Sequence, residues 1–341
     1  MSQNAASLQQ PSLAVVIIGR NEGERLRTCL NSVLNMHCPR ELVEVIYVDS
    51  SSSDGSVALA QSLGVRTILL DGPTTAARGR NAGWTQTEAP FILFLDGDTV
   101  LHPDFVAGNM QHFADPQVAG VYGNRRETRT ADSIFNAIFD LDWNAQPGFS
   151  LFFGGDALVR REALASVGGY NPLLIAGEEP DLCRRMRGLG NRILHVDEPM
   201  TLHDLDMHTL SQYWRRSVRT GYAYAEISAR YARTDDPLWK AESRSNIIRG
   251  VFWTCAPILA LVFSILLHSP FPFALFLVAA LALFARTAAK VSGRTSSLKL
   301  LLAYSLHSHL QQIPILIGQI RFHRQRRRGG NSAIIEYKSI P

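Results

Sequence analysis

Two carboxylates, Asp96 and Asp98, stand one residue apart around Gly97, directly after the apolar run Phe91-Ile92-Leu93-Phe94-Leu95. Such a pair at a strand end can take a hard divalent cation, Mg2+ or Mn2+, and that ion can bridge the oxygens of a pyrophosphate. A solvated Asp-Gly turn would leave the same letters. The buried strand before the pair favours chemistry, and so does a further acid, Asp49, at the end of the run Val43 to Val48. A second acidic group, Glu178, Glu179 and Asp181, surrounds Pro180 where a helix is expected to start. A helix N-terminus favours ionised carboxylates by about 0.3–1 kcal/mol each, so these acids have a structural reason to be there as well. Arg78 and Arg80 lie in a Gly-rich stretch between strands, where they are either surface charges or contacts to an anion.

The elements that must hold these residues follow from periodicity. Leu13 to Ile18, Val43 to Val48, Val65 to Leu70 and Phe91 to Leu95 are short apolar runs rich in β-branched residues. They alternate with helical patterns at Asn21 to Leu34 and Ser56 to Leu63, which predicts βαβ units: an α/β fold with a mostly parallel central sheet flanked by helices. Ligands on such sheets bind beyond the carboxyl ends of the strands, where Asp49 and Asp96 fall. From Ala131 to Gly155 the periodicity weakens and aromatics accumulate, which sets this stretch apart from the βαβ units before it. Further helices are predicted at Arg161 to Val167, at Pro180 to Leu189 and at Ser211 to Tyr231.

The charge pattern divides the 341 residues unevenly: after Glu242 the next acid is Glu336. Ile247 to Leu267 has Arg249 as its only charge and is long enough, at 1.5 Å per residue, to cross a hydrocarbon core of about 30 Å. Phe271 to Ala285 spans only if extended through Ala288 and Ala289, so a re-entrant hairpin stays open. The polar residues His307, His309, Gln311 and Gln312 and the break at Pro314 favour an interfacial helix over Leu298 to Ile320. A two-helix hairpin keeps Arg244, Arg286, Lys290, Arg294 and the cluster Arg321 to Arg328 on one side, as the positive-inside rule asks. The net charge of +4 is then read as attraction to membrane lipid, with no nucleic acid partner, because no helix combines a basic stripe with interleaved aromatics. Cys29, Cys38, Cys183 and Cys255 show no paired spacing, which suits a reduced compartment. The first residues lack a basic and an apolar region of the signal-peptide kind, so the expected location is the inner membrane, multi-pass, with the catalytic domain cytoplasmic.

Several separated segments, in order, resemble the family 2 glycosyltransferases, inverting enzymes of the Rossmann-like GT-A nucleotide-sugar fold. Ile17-Ile18-Gly19-Arg20-Asn21-Glu22 resembles the family's opening strand and loop. Val48-Asp49-Ser50-Ser51-Ser52-Ser53-Asp54-Gly55 resembles its Asp-Ser/Asp-Gly-Ser-x-Asp loop. The resemblance implies that these hold the nucleoside, with Gly19, Arg20, Asn21, Glu22, Ser51 and Asp54 around it and Asp49 on the base. Ala77-Arg78-Gly79-Arg80-Asn81-Ala82-Gly83 resembles the segment before the metal-binding pair, and places Arg78, Arg80, Asn81, Asp96 and Gly97 at the sugar nucleotide. Phe153-Gly154-Gly155-Asp156 and Gly168-Gly169-Tyr170 resemble acceptor-side loops. His203 resembles a histidine that in some members joins the two aspartates as a metal ligand, though an ordinary loop histidine would look the same beside Asp204, Asp206 and His208.

Gly177-Glu178-Glu179-Pro180-Asp181-Leu182 resembles the family's Glu-Asp-x-Asp-Leu element, with Glu179 where the catalytic Asp is usual; Glu178 or Asp181 are alternatives as the base. Gln212-Tyr213-Trp214-Arg215-Arg216 only partly echoes the signature of processive synthases, which leaves Gln212, Trp214 and Arg215 as acceptor-side residues and processivity unsupported. The resemblance implies an inverting, metal-dependent transfer from a nucleotide-diphospho-sugar, UDP before GDP, to a hydroxyl of a lipid-linked or glycan acceptor. The alternative is a catalytically silent, membrane-tethered nucleotide-sugar binding or scaffold protein. The expected organisation is a disordered lead at 1–11 and a transferase domain at 12–235, with donor and acceptor halves at 12–125 and 126–235. A linker at 236–246, a membrane hairpin at 247–289 and a basic interfacial tail at 290–341 follow.

Overall fold

The computed structural model describes residues 11–72, 74–143 and 146–329. Most of the expected lead, and residues 330–341 of the expected tail, lie outside them.

The chain forms β1 (Leu13–Gly19), α1 (Glu24–Leu34), β2 (Val43–Asp49), α2 (Ser56–Ser62), β3 (Arg66–Leu69), α3 (Ala76–Trp84), β4 (Phe91–Asp96), β5 (Thr99–Leu101) and α4 (Phe105–Asn109). Then come β6 (Val118–Glu127), α5 (Ile134–Asp142), β7 (Gly148–Ser150), β8 (Ala157–Arg160), α6 (Arg161–Ser166), α7 (Glu178–Arg187) and β9 (Arg192–His203). The helices α8 (Leu210–Tyr231), α9 (Lys240–Leu266), α10 (Phe271–Val291), α11 (Leu298–Leu310) and α12 (Gln312–Arg327) complete it. The four strands read from the sequence are present and lie side by side, parallel, in the order β3-β2-β1-β4; β8, β6, β9 and β5 extend the sheet, with β6 and β9 parallel and β8 antiparallel to both β4 and β6.

Alternate residues of the parallel strands enter two cores, as a period of two requires. Val15, Ile17, Val45, Tyr47, Leu93 and Leu95 pack on one side with Leu26, Leu30 and Val33 of α1. Val16, Ile18, Ile46, Val48, Ile92 and Phe94 pack on the other with Trp84 of α3, Leu164 of α6 and Leu182 and Met186 of α7. Both faces of β1, β2 and β4 are thus covered, which is why these strands read as unbroken apolar runs.

The contacts divide the chain into two units. The first comprises residues up to Thr128 and Trp143–Leu205; the second comprises Arg129–Asp142 and the residues from Asp206 onward. The stretch read as aperiodic and acceptor-side contains α5, which belongs to the second unit, and α8 belongs there too rather than with the sugar-nucleotide sheet. Helix α9 begins at Lys240, inside the expected linker, because Lys-Ala-Glu-Ser-Arg is good helix-forming sequence. Helices α9 and α10 are long and apolar enough to cross a membrane.

Leu298 to Ile320 forms parts of two helices rather than one, and its residues His307, Gln312 and Gln319 are buried rather than solvated. His307 is buried: the Tyr213 hydroxyl lies 3.0 Å from its Nδ1 and Asp142 Oδ2 lies 3.0 Å from its Nε2. Gln319 accepts from Ser243 Oγ at 2.7 Å. Helices α8 and α12 cross so closely that a Cβ added at Gly318 would sit 2.0 Å from the Val218 carbonyl oxygen, and one at Gly221 would sit 2.0 Å from that of Ile315. Neither obstacle is a side chain that can swing away, so Gly318→Ala must separate the helices, a kind of overpacking that costs about 1–3 kcal/mol. The expected result is a thermal midpoint in detergent several degrees below wild type; an unchanged midpoint for Gly318→Leu would show that the crossing is not tight.

Candidate active site

The first three parallel strands that matter end together. In register, Gly19 lies opposite Asp49 and Ile18 opposite Asp96, so the last residues of β1, β2 and β4 form one edge of the sheet. Gly97 N donates to the Ile18 carbonyl at 2.8 Å, which turns the chain at that edge and starts the Asp96-Gly97-Asp98 pair there.

The two loops expected to hold a nucleoside are stitched to each other. Asn21 N donates to Ser52 Oγ, and Ser53 N donates to Asn21 Oδ1, both at 2.8 Å. Each loop carries a non-glycine residue in the left-handed region, Asn21 at φ 55° and Ser51 at φ 62°, a cost of about 1–3 kcal/mol of the kind that clusters at functional sites. Asp49 is buried; its carboxylate accepts from the Tyr47 hydroxyl and from Ser52 N, each at 2.8 Å. Asp54 accepts from Ser56 N and Oγ at the start of α2; burial raises its pKa, but these hydrogen bonds outweigh that and hold it below the ordinary carboxyl value. Ser51 Oγ donates to the Leu70 carbonyl at 2.8 Å. Gly19 closes against Tyr47 and Glu22, and Glu22 pairs with Arg25 at 3.0 Å. Arg20 is half-buried in the same loop.

At the centre of the site is Arg80, an arginine with 2 % of its surface exposed. Its Nη2 donates to Asp96 Oδ1 at 2.9 Å, and its Nη1 lies 3.0 Å from both Glu178 Oε1 and Glu179 Oε1. The residue read as a sugar-phosphate contact is therefore a buried cation shared by three carboxylates, whereas Arg78 is exposed on α3. Asn81 is occupied in joining α3 to the next loop: Trp84 Nε1 and Tyr170 N donate to its Oδ1, and its Nδ2 donates to the Tyr170 carbonyl. On the other side of Asp96 stands Arg125, 3.7 Å from Asp96 Oδ2, with Nε donating to Asp156 Oδ2 at 3.0 Å. Asp156 also accepts from Asp96 N and Thr201 Oγ1, so this acid, placed by sequence on the acceptor side, anchors the Asp96-Gly97-Asp98 turn. Gly155 lets it do so: a Cβ there would lie 2.5 Å from Asp96 Oδ2, whereas Gly154 faces open space.

Helix α7 starts at Glu178, two residues before the expected start, because Gly177 turns the chain at φ 82° and Pro180 is tolerated within a first turn whose N–H groups need no helical partner. This brings Glu178 and Glu179 to Arg80. Asp181 instead pairs with Arg185 one turn along, at 2.9 Å, with 1 % of its side chain exposed. Burial, then the charge of Glu178, push the Glu179 carboxyl up to about 7 against the pull of Arg80. Asp96 moves the other way: burial raises it, but Arg80 and then Arg125 hold it below its ordinary value.

Asp98 is buried, with Oδ2 3.4 Å from His203 Nε2, and His203 Nδ1 is 3.7 Å from Glu127 Oε2. Trp143 lies edge-on to His203 at 5.1 Å, and Arg125 lies over its ring at 5.6 Å. Sequence reasoning missed Arg125, Glu127, Thr201 and Trp143. The available signal was the spacing of Arg125 and Glu127, two apart on one face of β6, a strand that was not recognised. Gln212, Trp214 and Arg215 lie in the second unit, and Gln212 serves there as a cap of α8, its side chain accepting from Thr209 N at 2.9 Å and its own N–H donating to Thr209 Oγ1.

Residues 14–165 match the model of glycosyl transferase family 2. The glycosyltransferase AglE of Haloferax volcanii is 25% identical over 203 residues, 57% of this chain and 67% of that protein. The poly-beta-1,6-N-acetyl-D-glucosamine synthase of Staphylococcus aureus is 24% identical over 229 residues, 62% of this chain and 54% of that protein. The chain thus spans two thirds of the one and about half of the other. Among solved structures, the mannosyltransferase PcManGT from Pyrobaculum calidifontis, in complex with GDP-Man and Mn2+, aligns over 92% of this chain and 88% of its own with a TM-score of 0.61 at 17% identity, a likeness of fold. A second family model, glycosyl transferase family group 2, matches residues 91–287, more than half of the chain, which therefore belongs to the family 2 glycosyltransferases.

Proposed function

We propose that the chain transfers a glycosyl group, with inversion, from a nucleoside-diphosphate sugar to a hydroxyl of a lipid-linked or glycan acceptor at the inner membrane surface. The observation that carries this reading is the single guanidinium of Arg80, which joins Asp96 of the Asp96-Gly97-Asp98 turn to Glu178 and Glu179 at the carboxyl edge of the sheet. A leaving-group site and a proton acceptor are thereby side by side.

Among the described residues no three His, Cys, Asp or Glu side chains converge as a ready-made metal cage. An ion of the Mg2+ or Mn2+ kind needs no such cage, since it takes one or two protein carboxylates and completes its shell with phosphate oxygens and water. The charge count fits such an ion: in the ion-paired cluster two guanidinium groups, Arg80 and Arg125, face the four carboxylates Asp96, Asp156, Glu178 and Glu179, with Asp98 beside them. Asp96 and Asp98 would hold the ion, with His203 next to Asp98. When bound, the metal supplies Lewis-acid stabilisation to the departing diphosphate.

The chain's own groups do the rest. Asp49 and the stitched loops around Asn21 and Ser52 orient the nucleoside, UDP before GDP. The acceptor oxygen attacks the anomeric carbon, the bond to the diphosphate oxygen breaks with its electron pair leaving on the diphosphate, and the hydroxyl proton passes to Glu179. A carboxylate with a pKa near 7 suits that step, since about half of it is ionised at neutral pH and it is basic enough to accept. Helices α9 and α10 would cross the membrane as the hairpin read from the sequence, with the basic residues on the cytoplasmic side.

One experiment tests both halves. Membranes from cells expressing the chain, washed at alkaline pH, are offered a panel of UDP- and GDP-sugars with Mn2+. The expected result is protein retained in the pellet and nucleoside diphosphate released from one donor. Protein in the supernatant would overturn the hairpin, and no release from any donor would favour the silent binding protein.

A further inference from the structure

Arg80 separates the two halves of the proposed reaction unequally. Asp96 keeps other tethers if Arg80 is lost: Arg125 stands 3.7 Å from its Oδ2, and its backbone N–H donates to Asp156 Oδ1 at 3.2 Å. Glu178 and Glu179 have no such second tether among the described ion pairs; both run to Arg80 Nη1, at 3.0 Å. Arg80 is itself fixed from behind, its guanidinium lying 5.4 Å from the centre of the Tyr170 ring, which Asn81 holds through the Tyr170 backbone. A planar, always-charged fork suits this three-way contact, whereas a lysine offers a single point of charge.

We infer that Arg80 is a positioning residue for the proton acceptor: it holds the Glu178–Glu179 pair in register with Asp96, and it is not a ligand of the donor phosphates. The inference rests on the proposed function for its kinetic arm only. A second arm reads position directly.

The test uses the full-length protein in detergent, with Arg80→Gln, Arg80→Lys and the charge-balanced double variant Arg80→Gln/Glu178→Gln, which removes one buried charge of each sign and keeps the site testable if the single variant does not fold. Amide hydrogen exchange is the direct arm. Arg80→Gln or the double variant should exchange at least tenfold faster at Glu179, Asp181 and Leu182, with Asp96 to Thr99 unchanged because Arg125 and Asp156 still hold that turn. In the kinetic arm, kcat should fall about 10²-fold with donor KM within about threefold, and Arg80→Lys should recover part of kcat. Calorimetry with UDP or GDP and Mn2+ should give a Kd within about threefold of wild type. A raised KM and Kd with kcat preserved would make Arg80 a phosphate ligand and overturn the inference, as would unchanged exchange at α7 or full turnover in the double variant. If wild type itself turns over no donor, the proposed function fails, and the exchange arm still decides the role of Arg80.

Discussion

Replacing Glu179 by Gln is expected to lower kcat by about 10²–10⁴-fold, the usual cost of losing a general base, while donor affinity barely changes. The amide keeps the size of the side chain and a hydrogen bond to Arg80 but cannot take the acceptor's proton. The geometry sorts the three candidate acids that the sequence left open. Asp181 is turned away and paired with Arg185, so Asp181→Asn should loosen the start of α7 and lower stability more than it lowers kcat per folded molecule. Glu178 shares Arg80 with Glu179, and its charge is the second cause of the raised Glu179 pKa. Because the base must be ionised, wild-type kcat should fall as pH drops through about 7, and Glu178→Gln should move that acid limb to lower pH. If Glu179→Gln turns over normally and Asp181→Asn does not, with donor binding intact, the base is Asp181.

The same shift has a sign in stability. A carboxyl whose folded pKa lies above its ordinary value of 4.5 favours folding in its protonated form, so the contribution is present below 4.5 and lost as pH rises through about 7. The glutamine variant has nothing to lose, so it should melt above wild type at pH 8 and close to it at pH 5. A functional acid held at a cost to the fold would show this opposition between activity and stability.

How much of this was legible in the sequence depended on whether local pattern or tertiary pairing fixed the element. The parallel strands β1, β2 and β4 are buried on both faces, so each is an apolar run that announces itself, and Asp49 and Asp96 could be placed at their ends by position alone. Strands β6 and β9 could not. β6 carries Gly120 and Gly123, packed against Phe153 and against the backbone of β9, and β9 runs through Asp197, Glu198 and Pro199. Their identity lies in pairing with each other, which no local period encodes. Arg125, Glu127 and Thr201 were missed with them. The roles of Arg80 and Asp156 were hidden for another reason: each belongs to a recognisable segment, yet the partner that defines its role is far along the chain, Glu178 for Arg80 and Asp96 for Asp156. In the second unit, polar residues of the tail looked solvated because the helices that cover them were not foreseen as a bundle.

Asp98→Asn is expected to reduce metal-supported turnover by about 10²-fold or more, and excess chelator should abolish wild-type turnover. Between the two aspartates, Asp98 is the cleaner one to change. Asp96 accepts from Arg80 and lies near Arg125, so Asp96→Asn would also release Arg80 and confuse loss of the ion with displacement of Glu179. Asp98 is buried beside His203, and its carbonyl accepts from Asp204 N at 2.9 Å, a backbone contact that the substitution leaves in place. The reason for expecting a large effect is electrostatic. A diphosphate approaching Asp96 and Asp98 without an intervening cation meets like charges at short range, in surroundings where the effective dielectric is well below that of water. Removing one carboxylate weakens the hold on the ion and with it the stabilisation of the leaving group, which metal sites supply at several kcal/mol, each 1.36 kcal/mol being about tenfold in rate. Raising Mn2+ should therefore restore part of the lost turnover in Asp98→Asn and none in Glu179→Gln. Calorimetry gives a reading apart from catalysis: nucleoside diphosphate should bind wild type tightly only with Mn2+ present, and Asp98→Asn should shift the Mn2+ requirement upward by at least tenfold. Undiminished turnover in chelator, or nucleotide binding indifferent to Mn2+ in both proteins, would remove the metal from the site.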